Sequence, residues 1–203
     1  LFPNQSYKGM KTVAFDYSHL VAAADRMQQC WQRQGIGFCF IGGLAVQHWG
    51  EPRMTQDIDA SVSTGFGNES AMVERLLVDL APRISEAADF AKLHRVLLGQ
   101  EAGGVPVDVS LAGLPYEMQA IERARLHRLA GRYEIRLCSA SDLVVLKAFA
   151  DRPRDWQDIR GVLIRSPQEL DWDLIETELT MLAGLKEEPG LVTRLLDLKA
   201  SLD

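Results

Sequence analysis

The chain has 203 residues, 47% hydrophobic and 25% charged, values that suit one globular core or one core with a small helical appendage. Its 22 Lys+Arg stand against 28 Asp+Glu, a net charge of -6, which argues against a generally basic nucleic-acid coat but leaves room for a local basic patch. No apolar run approaches the roughly 20 residues needed to cross a bilayer. Residues 1–12 lack the basic start and apolar stretch of a secretory leader, so the expectation is a cytoplasmic protein with no membrane partner.

Taken in chain order, residues 16–34 read as a helix. Leu20, Val21, Ala24, Met27 and Trp31 recur at helical spacing, and Gly35 and Gly37 end it. Residues 38–41 form a short apolar run, a buried strand. Gly42-Gly43 breaks it, and residues 44–49 open a second helix. Residues 57–62 alternate acid and apolar, which suits a strand, and 69–80 reads as an amphipathic helix. Residues 93–98 and 105–111 flank a turn with Gly99, Gly103 and Gly104, a candidate hairpin. A short helix at 116–124 and a second hairpin, 125–129 with 133–137, follow. Beyond these the pattern is helical: Ser141 or Asp142 caps a helix to Ala150, Pro153 starts the next, to about 164, and two more cover 172–182 and 191–202. The fold class is therefore α+β: a small mixed sheet with helices over residues 1–140, then a C-terminal helical region over 141–203, packed on the core as one compact unit. The three cysteines, Cys30, Cys39 and Cys138, are odd in number and lack short-spaced pairs, so buried reduced thiols are expected rather than disulfides or zinc ligands.

The informative stretch runs from Gly42-Gly43 to Asp57-Ile58-Asp59. Two glycines at the mouth of a helix let a backbone approach a ligand closely, and the helix N-terminus suits a phosphate. Asp57 and Asp59 are two apart on a strand, so both side chains leave one face, while Ile58, Ala60 and Val62 take the other. Val105, Val107 and Val109 repeat the pattern, with Asp108 on the opposite face. Three such carboxylates repel one another, which raises a pKa or calls for a cation, and their hard oxygens suit Mg²⁺. A D-x-D alone is more often a solvated strand face. The glycines, the following helix and the third acid favour the site.

These residues resemble the nucleotidyltransferase superfamily with the polymerase-beta-like fold. The form G-G-x-A-x-x-x-x-G-x-x-R-x-T-x-D-I-D is similar to its AbiEii-type toxin branch and is carried by Gly42, Gly43, Ala45, Gly50, Arg53, Thr55, Asp57, Ile58 and Asp59. Two further blocks resemble the branch: residues 141–147, delivering Lys147, and Arg152-Pro153-Arg154-Asp155 with Asp158. The resemblance implies that Asp57, Asp59 and Asp108 bind Mg²⁺, with Asp108 also a candidate base. It implies that Gly42 and Gly43 cradle an NTP triphosphate beside Thr55, and that Lys147 and Arg53 face phosphate. Asp155, Asp158 and Arg154 would support the site. Gly43 stands where many members of the superfamily carry Ser.

Plainer readings of the same residues stay open. Lys147 has helix spacing to Asp151 and fits a surface pair, and Arg53 fits a pair with Glu51. Asp155 and Asp158 fit an ion-pair network with nearby arginines. His48 beside Trp49 reads as packed rather than catalytic, and His19, His94 and His127 show no metal spacing. Arg123, Arg125, His127, Arg128, Arg132 and Arg136 form a locally basic segment, either a nucleic-acid face or a solvated hairpin.

The function implied by the resemblance is Mg²⁺-dependent transfer of a nucleotide from an NTP to an acceptor hydroxyl, with release of pyrophosphate. The branch implies a toxin-like role with RNA or tRNA as acceptor and a cognate antitoxin as partner. A small-molecule acceptor of the antibiotic type is the alternative, and a degenerate nucleotide-binding or interaction module is a further one. The discriminating feature is whether the basic segment 123–136 lines the cleft.

Overall fold

Leu20, Val21, Ala24, Met27 and Trp31 lie on one stripe of α1 (Ser18–Arg33), and all are buried against the sheet, as helical periodicity requires. The computed structural model of the chain describes residues 17–202, so the expectation of no leader in residues 1–12 lies outside the described residues. After α1 come β1 (Phe38–Phe40), α2 (Gly42–Trp49), β2 (Ile58–Ser63), α3 (Glu69–Leu76), β3 (Ala81–Pro82), α4 (Ala87–His94), β4 (Val96–Gln100) and β5 (Pro106–Ala112). Then follow α5 (Pro115–Arg123), the hairpin β6 (Arg125–Leu129) and β7 (Tyr133–Leu137), and the helices α6 (Ala140–Ala150), α7 (Pro153–Arg165), α8 (Trp172–Leu185) and α9 (Gly190–Ala200).

Among the described residues the strands form one mixed sheet in the order β3-β4-β5-β2-β1-β7-β6. β2 pairs in parallel with β5, and β1 in parallel with β7, while the remaining pairs are antiparallel. Alternation sends Phe38, Phe40, Ile58, Ala60, Val62, Val107 and Val109 to one face, where α1, α3 and α4 cover them. On the other face Cys39, α2 and α5 pack with α6–α9 in a second apolar cluster that joins the sheet to the C-terminal helices. The fold is thus a mixed αβ sheet with helices on both faces, as the sequence pattern predicts.

Several local expectations need correction. Residues 93–95 are not strand: α4 runs to His94, and Arg95 takes a left-handed conformation (φ 56°) that turns the chain into β4. α4 escapes a periodicity reading because the side chains it buries are the small Ala87 and Ala91. α3 stops at Leu76, although Leu80 stays buried after the turn. The cap of α6 is Ser139, whose hydroxyl accepts from the backbone N–H of Asp142 at 3.0 Å and donates to its carboxylate at 2.6 Å. All three cysteines are free, but Cys30 is only partly buried, since it lies off the stripe of α1 that carries Met27 and Trp31 into the core.

Candidate active site

β1 ends into Ile41, and the chain turns at Gly42, whose φ of +54° favours glycine. A Cβ there would lie 1.9 Å from Asp59 Oδ2, so the turn and the β2 carboxylate are in direct apposition. The Gly43 N–H donates to Asp59 Oδ2 at 3.3 Å. A Cβ on Gly43 would lie 2.3 Å from Thr55 Oγ1, so the threonine occupies the space that a serine at 43 would need. Thr55 in turn donates to Asp57 Oδ1 at 2.9 Å. The Thr55 side chain therefore fills the space beside Gly43 and ties it to Asp57.

Asp57 precedes β2, Asp59 lies on it, and Asp59 is in register with Asp108 on β5. One oxygen of each of the three carboxylates lies within 4.8 Å of the others. Burial, and then the neighbouring Asp57 charge, push the Asp59 carboxyl up to about 6. Burial also raises Asp108, against the Arg83 guanidinium that pairs with it. Converging hard oxygens carrying excess negative charge fit a divalent cation.

The second cluster comes from helices. Lys147 is buried on α6, and its ammonium contacts Asp155 at 2.8 Å and Asp158 at 2.7 Å. It is not a surface lysine, and the Asp151 carboxylate instead accepts from Trp156 at 2.6 Å and pairs with Arg194 at 2.8 Å. Arg53 is bidentate on Asp158 at 2.6 and 2.8 Å rather than paired with Glu51. Those two cations, Arg53 and Lys147, hold the Asp158 carboxyl below its ordinary value despite its burial. The carbonyl of Met54 accepts from Arg53 at 3.3 Å and from Arg154 at 3.1 Å, so the segment leading to Asp57 is pinned to α7. Asp155 Oδ2 is buried without a hydrogen-bond partner, and Arg152 stands 4.0 Å away with its side chain 80% exposed.

Both clusters line one cleft of about 650 Å³, together with Gly42, Gly43, Arg152 and Arg154. The cleft thus gathers Gly42, Gly43, Arg53, Thr55, Asp57, Asp59, Asp108, Lys147, Arg154 and Asp155, while Asp158 acts from behind Lys147 and Arg53. The sequence reading missed Arg83. It also missed that Met54, 55% exposed, forms part of the lining.

The basic segment does not reach this cleft. β6 is the far edge of the sheet, three strands from β2. Arg123 is bidentate on the buried Asp142, and Arg136 donates to the carbonyls of Phe38 and Ile121, so two of its cations are structural. His48 packs against Trp49 and, unexpectedly, against His127, with ring centroids 4.3 and 4.5 Å away. Burial, then the neighbouring His127, pulls the His48 pKa down to about 4.

The sequence matches no protein-family model and no curated protein. Solved structures do share its architecture. An antigenic nucleotidyltransferase-like protein from Paracoccidioides brasiliensis superposes with a TM-score of 0.51 at 16% identity, over 90% of this chain and 94% of that one. ANT(2")-Ia in complex with adenylyl-2"-tobramycin superposes with a TM-score of 0.53 at 13% identity, over 83% of this chain and 99% of that one. The chain has the nucleotidyltransferase fold. Within that fold Asp59 and Asp108 lie on adjacent parallel strands with Asp57 just before the first, beside the glycine turn, and the lysine network forms the helical side of the same cleft.

Proposed function

We propose that this chain is a Mg²⁺-dependent nucleotidyltransferase that moves a nucleotide from an NTP to an acceptor hydroxyl and releases pyrophosphate. One observation carries the reading: Asp57, Asp59 and Asp108 converge beside the Gly42-Gly43 turn in an open cleft. The three carboxylates hold the metal, which when bound neutralises charge on the phosphates and on the attacking oxygen. The backbone at Gly42 and Gly43 allows the triphosphate to approach without a Cβ in the way. Arg152 and Arg154 line the cleft as cations for a polyanion. The Lys147 ammonium has three donors, of which Asp155 and Asp158 take two, leaving one for a phosphate oxygen. Asp108 is the base that accepts the proton of the acceptor hydroxyl. Catalysis of this kind is mainly positioning and electrostatic stabilisation.

For the acceptor, the AbiEii-type resemblance favours RNA or tRNA, with an antitoxin as partner, and the arginines lining the cleft suit a polyanion. The position of the basic hairpin away from the cleft favours a small acceptor instead, as does the fold shared with ANT(2")-Ia, whose structure holds adenylyl-2"-tobramycin. The experiment is incubation with each α-³²P-labelled NTP and Mg²⁺, with total RNA in one arm and tobramycin in the other. An Asp57→Ala/Asp59→Ala variant runs beside both. Label entering RNA with the intact carboxylates alone names the nucleotide and supports the toxin-like reading. Label entering tobramycin supports the small-molecule reading, and transfer in neither arm counts against both acceptors.

A further inference from the structure

Across the sheet, Asp59 on β2 is in register with Asp108 on β5, Asp108 with Leu98 on β4, and the Arg83 N–H donates to the Leu98 carbonyl at 3.0 Å. Arg83 therefore continues the row of carboxylates onto the third strand over. Neighbouring strands lie about 4.8 Å apart, so its side chain must extend across Leu98 to reach Asp108, and it does so, pairing with Oδ1. The strand it follows is lightly held. β3 is two exposed residues at the open edge of the sheet, and one of them, Pro82, has no N–H to give to the ladder. The Arg83 and Asp108 side chains are 29% and 33% exposed, so the pair by itself adds little to folding stability. Its consequence falls on the triad, where this guanidinium is the cation paired directly with one of three clustered carboxylates.

We propose that Arg83 is a built-in counter-ion of the carboxylate site: it occupies Asp108 while no divalent cation is bound, and it is displaced when one binds. This rests on reading the triad as a metal site. A guanidinium and a divalent cation on the same carboxylate repel each other, so each weakens the hold of the other. That coupling is reciprocal: whatever factor the metal takes from the Arg83–Asp108 pair, Arg83 takes from metal affinity. Arg83 thus sets the metal concentration at which the site fills, and the short edge strand lets the arm move aside without disturbing the core.

The test is Mn²⁺ binding by the whole chain at low ionic strength, followed by the spin-resonance signal of free Mn²⁺. Arg83→Gln should tighten binding about fivefold or more. Arg83→Lys, which keeps the charge, should stay nearer the native affinity. Thermal melting provides the second readout. Without metal, Arg83→Gln should melt below the native chain, and its gain in melting temperature on adding Mn²⁺ should exceed the native gain. Equal or weaker Mn²⁺ binding by Arg83→Gln overturns the proposal. An Asp57→Asn/Asp59→Asn variant separates the two ideas. If it loses the Mn²⁺ that native and Arg83→Gln chains bind equally, the metal site stands and the counter-ion falls. If none of the chains binds Mn²⁺, the metal reading falls and takes the counter-ion with it.

Discussion

Among the described residues, the strand side of the cleft carries Asp57, Asp59 and Asp108 against the single guanidinium of Arg83, whereas the helix side sets Asp155 and Asp158 against Lys147 and Arg53. The first group has surplus negative charge, and its carboxyl groups Asp59 and Asp108 titrate high. The second is balanced, and Asp158 titrates low. Both clusters hold buried or half-buried carboxylates, yet the first carries more acids than cations and the second matches them one for one. Local charge balance, more than the number of carboxylates, separates a site that calls for a cation from a bracket that holds α6, α7 and the loop before β2 together.

The contrast can be broken at either side. The largest effect is expected for Asp57→Asn: nucleotide transfer should fall by on the order of a hundredfold or more, with the fold intact by circular dichroism. Next is Lys147→Met, which leaves two acids buried with Arg53 on Asp158 and only the exposed Arg152 near Asp155. Truncating one partner of such a network costs about 3–5 kcal/mol. In a chain of this size each kcal/mol moves the melting temperature by about 2–4 °C, which a thermal melt resolves. If Lys147→Met proves no less stable than the native chain, the helix side is not a structural bracket.

Asp59→Asn should act in the opposite direction in metal-free protein. The folded pKa of about 6 lies above the ordinary 3.8, so the folded state binds the extra proton between those values. Stability then falls as pH rises from about 4 to 6 and stays lower above that, and removing the charge should restore up to about 3 kcal/mol at pH 7.5. Urea unfolding at pH 5 and 7.5 measures this, and an advantage that does not grow with pH rejects the strained triad. A pH effect of similar size and opposite sign belongs to His48, outside the cleft. Its folded pKa of about 4 lies below the ordinary 6.5, so its contribution is full above pH 6.5 and is lost as pH falls toward 4. His48→Phe should flatten that part of the stability–pH curve, and an unchanged slope would show that the imidazole is not desolvated.

What was legible in the sequence followed from short-range periodicity. β6 and β7 have the bounds that their alternation predicts, and α1 buries the stripe that its spacing predicts. The acids at 57, 59 and 108 could be put on strand faces because a period of two fixes the face without knowledge of the partner strand. Where periodicity is weak the reading failed. α4 buries only two alanines, and β3 is too short to show alternation. Partner choice was equally hidden. Lys147 to Asp151 and Arg53 to Glu51 are the natural local pairs, but burial turned both cations toward Asp158 on α7.

Sequence alone determined the glycine turn, the three acids and the strand face of Asp59 and Asp108, because backbone freedom and side-chain alternation are local properties of the chain. Tertiary structure decided that Thr55 fills the place left by Gly43, that the arginines of 123–136 stay outside the cleft, and that Arg83 closes the carboxylate row. Those outcomes depend on strand order and register, which bring residues dozens of positions apart into contact and which no window of neighbouring residues encodes.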